Sequence, residues 1–78
     1  MISVERIIDT FVEDYLTETD APFTKEEVYE QVDFVPINRD NTVVGMLGFT
    51  MFQSNKLQEV IPVIRVVYLA PPFRTPGS

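Results

Sequence analysis

Cysteine, histidine and tryptophan are all missing from these 78 residues, and glycine occurs only three times. Without cysteine there is no disulfide staple, thiol nucleophile or sulfur ligand. Without histidine there is no Ser–His or Cys–His pair and no imidazole for a metal. The glycines do not assemble a phosphate-cradling loop. The chain is therefore read as having no catalytic centre, no metal site and no cofactor. Basic residues are scarce, six against twelve acidic ones, for a net charge of −6. Such a field repels phosphate backbones and anionic lipid alike. Long apolar runs are also lacking. The longest, Val60 to Ala70, is broken by Pro62 and Arg65 and falls short of the ~20 residues a membrane-spanning helix needs. No basic start followed by an apolar stretch opens the chain. A cytoplasmic location and no membrane partner are expected.

What is present suits one small folded domain, since 45% of residues are hydrophobic and 23% charged. The charge is uneven. Residues 1–38 hold two basic residues against ten acidic, and residues 39–78 four against two. Acidic carboxylates abound, but those with neighbours fall on the polar side of an amphipathic helix, which is a solvated face rather than a catalytic pair. Asp14, Glu18 and Asp20 lack the alternating spacing of a calcium loop.

Val4, Ile7, Ile8, Phe11, Val12, Tyr15 and Leu16 recur at three- and four-residue intervals and predict a first helix, capped by Ser3. Its far side carries Glu5, Asp9 and Glu13 in one row. Thr24 and Glu27 form a capping box for a second helix over about residues 25–33, ended by Pro36. A third helix is expected to start after Asn38 or Asp40, with Val44, Leu47 and Met51 facing the core and Asn55 as its left-handed cap. Gly45 and Gly48 disfavour it, at about 1 kcal/mol each, and imply close packing there. The β-branched segment from Val60 to Leu69 reads as a hairpin turning near Ile61-Pro62-Val63 or as one long strand. Residues 71–78 form a proline-rich tail expected to be extended, which sets the domain at residues 1–70.

Helix, extended link, capped short helix, loop, helix and hydrophobic strand resemble the winged-helix (winged helix-turn-helix) family. Phe23 stands where those domains place a one-residue strand. Thr42-Val43 with Leu47 and Met51 resembles the recognition helix, Ser54 to Leu57 the turn into a first wing strand, and Arg65 to Leu69 the second. The resemblance implies an α+β fold of three helices followed by a β-hairpin or single long strand. Two departures stand out. The wing turn lacks the usual glycine and basic residues, and the exposed side of the third helix carries no positive charge.

Two uses follow. The first is a non-enzymatic regulator or adaptor that docks a protein, basic or nucleic-acid-associated, through Met46, Phe49 and Gln53 on helix three or through the edge of the Val60–Leu69 strand, with Glu5, Asp9 and Glu13 as an acidic face. The second is sequence-specific DNA binding through Asn38, Arg39, Asn41 and Thr42, with Lys56 and Arg65 on the backbone. Helix three or the Val60–Leu69 strand would also serve a homodimer.

Overall fold

The computed structural model describes residues 3–74. Helix α1, Val4–Thr19, starts where the Ser3 hydroxyl accepts the Arg6 N–H at 3.3 Å. It ends with Asp20 in the left-handed region, φ 51°, while the Ala21 N–H donates to the Leu16 carbonyl at 3.1 Å. That is the Schellman closure. Helix α2, Lys25–Gln31, has both halves of its capping box: the Glu27 N–H donates to the Thr24 hydroxyl at 3.2 Å and the Thr24 N–H to the Glu27 carboxylate at 3.0 Å.

The third helix does not form. Strands β1 (Asp33–Arg39), β2 (Thr42–Ser54) and β3 (Glu59–Leu69) instead make an antiparallel sheet in the order β1-β2-β3. The fold is α+β, two helices followed by a three-stranded meander, and the three-helix winged-helix arrangement is corrected accordingly. The reason lies at Asp40 and Asn41, with φ of 51° and 66°. Two consecutive left-handed residues between paired strands make the tight turn whose twist suits a hairpin, and Asp and Asn tolerate that region better than most residues. Asp40 also suits a helix cap, which masks the reversal in the sequence. Pro36 likewise belongs to an edge strand, where proline is tolerated. Ile61-Pro62-Val63 lies within β3 rather than at a turn. The β2–β3 reversal is at residues 55–58, where the Ser54 hydroxyl accepts the Leu57 N–H at 3.2 Å and Gln58 takes φ 54°.

α1 packs on one face of the sheet. Ile8, Val12, Met46 and Tyr68 are buried together, with Phe11, Tyr15, Leu16, Val28, Phe34 and Val66 packed around them. The Tyr68 ring meets Phe11 and Tyr15 at centroid distances of 5.3 and 6.5 Å. Met46, expected on a partner surface, has no exposed area at all. Burying such a side chain is worth roughly 1.5–3 kcal/mol. The packing inferred at the glycines exists, but in a strand. A Cβ on Gly48 would stand 2.8 Å from the Phe34 ring and 2.9 Å from Val32, and one on Gly45 would collide with the Tyr68 carbonyl.

Pro71–Phe73 forms a 3-10 turn rather than an extended start to the tail. Arg74 then grips Glu18 of α1 with two hydrogen bonds of 2.8 Å, donates to the Leu69 carbonyl at 2.7 Å, and lies 5.1 Å from the Tyr68 ring centroid. Residues 75–78 of the expected tail lie outside the described residues.

Candidate docking surface

Residues paired across a sheet share a face, and successive residues alternate. Met46 and Tyr68 are partners on the helix side, so the next pair, Leu47 and Val67, points away from the helices, and Val35 pairs with Leu47 on that same side. Two further steps along the strands bring Phe49 and Ile64 together, then Met51 and Pro62, then Gln53 and Val60. Ile37 and Leu69 flank Gly45 at the other end.

A bulge makes this face continuous. Between the pairs Gly48–Val66 and Phe49–Ile64, β3 carries one residue more than β2, namely Arg65. Without it, strict alternation would place Ile64 with Val66 and Tyr68 on the helix side. With it, Ile64 and Val67 both look outward. Arg65 stays exposed, its guanidinium donating to the Thr50 hydroxyl at 3.3 Å.

The face is apolar and bare. Val35, Met51, Val60, Ile64 and Val67 are 41–65% exposed on it, while Leu47, Phe49 and Ile37 are half-buried between them. Its charged residues, Asp33 and Arg39, stand only at the two ends of β1. Beyond the start of β1, which reaches only to Phe49, the β2–β3 hairpin continues to Ser54 and Glu59 as a two-stranded arm. Phe52 (56%) and Leu57 (63%) add exposed apolar surface on that arm.

The other anticipated residues are dispersed. Asn38, Arg39, Asn41 and Thr42 build the β1–β2 turn, whereas Lys56 sits in the loop at the far end of the thirteen-residue strand β2. At 3.2–3.4 Å per residue that is about 40 Å away. Arg65 lies along β3 between these ends, so the six residues form no single basic patch. Phe49 lies on the bare face and Gln53 at its arm end.

Asp9 and Glu13 are occupied within the molecule. Lys25 of α2 bridges them at 2.9 and 2.7 Å, and the Tyr29 hydroxyl donates to Asp9 at 3.0 Å. These donors hold the Asp9 carboxyl below its ordinary value, and the two carboxylates raise the Lys25 ammonium above its own. Burial, helped by Asp9, pushes Tyr29 up to about 12. Glu5 lines a cleft with Ile8, Asp9, Tyr29 and Phe34. The three acidic residues therefore knit or edge the helix layer.

A second, apolar cavity of about 190 Å³ lies between helices and sheet, lined by Val12, Leu16, Phe23, Val28, Phe34 and Met46. It is smaller than the roughly 300 Å³ at which small-molecule sites begin. Among the described residues no group of three or more Asp or Glu side chains gathers as a metal site, and no helix is long and apolar enough to cross a membrane.

No protein-family model, curated protein or solved structure matches this chain. The helical spacing of Val44, Leu47 and Met51 masks the bare face in the sequence, yet the sequence also carries a signal of it. Val43 to Phe52 has almost no polar residue, and an antiparallel strand with one solvated face ordinarily alternates apolar and polar.

Proposed function

We propose that this chain is a non-enzymatic protein-interaction module, a small cytoplasmic regulator or adaptor that docks a protein partner on the uncovered face of its sheet. The observation that carries the reading is the mismatch between pattern and cover. β2 and β3 are apolar on both faces, but helices cover only one. Exposed apolar surface of this continuity marks an interaction site.

The charge distribution supports a protein over a nucleic acid. Residues 3–32, the helix layer, hold two basic against nine acidic residues, and residues 33–74 hold four against three. The acidic excess of the helix layer disfavours phosphate backbones and favours encounter with basic proteins, including those of nucleic-acid machinery.

The test is capture from nuclease-treated lysate with the wild-type chain and with an Ile64→Glu/Val67→Glu double variant. The reading expects specific capture by the wild type, its loss in the variant, and no retardation of random duplex DNA by either. Capture that survives the substitutions, or tight DNA binding at physiological salt, would sink it.

A further inference from the structure

We propose that the occupant of the bare sheet face is a second copy of this chain, packed face to face about a two-fold axis. This rests on the reading that the uncovered face docks a protein, and it takes that protein to be a second copy in place of a basic one; the acidic helix layer, turned outward, stays open to basic proteins. The first support is area. The chain exposes 6134 Å² for a mass of 9.0 kDa, whereas a folded monomer of that mass exposes about 4,850 Å². The excess, roughly 1,300 Å² per chain, is shared by the bare face and the projecting β2–β3 arm, and it is large enough to include the roughly 800 Å² that each partner hides in a standard interface. The radius of gyration agrees, at 14.2 Å against about 11.5 Å for a compact domain of this length.

The second support is self-complementarity. A two-fold interface must match itself, so it cannot concentrate one sign of charge. The centre of this face is uncharged, with Leu47, Phe49, Ile64 and Val67 available to interdigitate as two sheets do at about 10 Å separation. The helix layer, with its excess of seven acidic residues, lies on the opposite side of the sheet. Face-to-face packing turns both acidic layers outward and holds them apart. Helix-to-helix packing would press them together.

The third support is the state of the sheet edges. Joining two chains strand to strand requires an unbroken row of backbone donors and acceptors. Pro62 and the bulge at Arg65 interrupt that row on β3, and Pro36 interrupts it on β1. The face is open where the edges are blunted.

Sedimentation velocity of the full chain at tens of micromolar tests this, alongside disulfide trapping with single cysteines, which report cleanly because the chain has none of its own. The wild type should sediment at twice the chain mass of 9.0 kDa. Ile64→Glu/Val67→Glu should sediment at the single mass with unchanged circular dichroism, as both positions are exposed in the monomer. Of the single variants Leu47→Cys, Ile64→Cys and Val67→Cys, the one nearest the two-fold axis should cross-link on oxidation, and Glu26→Cys, on α2, should not. A monomeric wild type overturns the homodimer, and so does a dimer that survives the double substitution or cross-links through position 26. A monomeric wild type that still captures a protein in a face-dependent way leaves the docking reading standing. Failure of both assays removes both readings.

Discussion

Val67 and Tyr68 are neighbours in the chain and sit on opposite faces of β3, the tyrosine 5% exposed beneath α1 and the valine 65% exposed on the bare side. Both are residues that strands favour, and both belong to an apolar run. Only one has cover within the monomer. The difference between them isolates what the fold stabilises from what it leaves available.

The two roles separate in stability measurements. Met46→Ala removes a wholly buried side chain and should lower unfolding free energy by about 2–5 kcal/mol. Met51→Ala, at a position 53% exposed, should change it by less than about 0.5 kcal/mol in dilute protein. Urea titration at low concentration checks both. If Met46 faced a partner instead, the two variants would behave alike.

The glycines differ in what they touch. At Gly45 an added methyl meets the backbone carbonyl of Tyr68, which cannot rotate away, while at Gly48 it meets the side chains of Phe34 and Val32. Gly48→Ala should destabilise by about 1–2 kcal/mol and Gly45→Ala by about 3 kcal/mol or more. Equal losses in chemical denaturation would contradict the strand register.

The turn at Asp40 and Asn41 yields a gain. Asn41 has φ 66°, so Asn41→Gly should stabilise by about 0.5–1 kcal/mol by relieving a left-handed residue. Asp20→Gly, at φ 51° after α1, should act in the same direction by a similar amount. A helix running through residue 41 would respond to the first change with a loss. Thermal melting of the two single variants distinguishes these outcomes.

Stability should fall at both ends of the pH scale. Lys25 and Tyr29 hold Asp9 below its ordinary 3.8, Arg74 holds Glu18 below 4.5, and the Thr24 backbone N–H holds Glu27 below 4.5. A carboxyl lowered in the folded state contributes stability above its unfolded pKa, and that contribution vanishes as pH falls through the folded value. Lys25, raised above 10.5, and Tyr29, raised to about 12, contribute below their unfolded values and lose that contribution as pH rises. Melting temperature should be level between about pH 5.5 and 9, dropping below about 4.5 and above about 10. These groups are solvent-accessible, so the drops are shallow, and molar salt should flatten them. A profile unaffected by salt would argue against the Lys25 and Arg74 pairs.

Local signals were legible where chemistry and geometry coincide. The stripe from Val4 to Leu16 and the Thr24–Glu27 box each specify one outcome, and α1 and α2 start where those residues place them. From residue 39 the signals were ambiguous. Asp40 and Asn41 suit a helix cap and a hairpin turn equally, and Val44, Leu47 and Met51 fit a helical spacing inside a segment dense enough in apolar residues to fit any period. The two glycines and the aromatic and β-branched residues from Val43 to Phe52 favoured a strand, and long-range pairing with β1 and β3 decided it. The bulge at Arg65 was beyond local reading, since it exists only relative to β2. Sites anticipated on a helix surface were scattered for that reason, with Met46 in the core, Phe49 on the bare face and Arg39 far from Lys56.

Isotope-filtered NOE spectroscopy on a mixture of labelled and unlabelled chains reads the interface atom by atom. Face-to-face packing predicts intermolecular cross-peaks among the methyls of Leu47, Ile64 and Val67, and none from Val4 or Val28 in the helix layer. Intermolecular peaks from the helix layer, or their absence at the bare face at concentrations where the chain is dimeric, would contradict it.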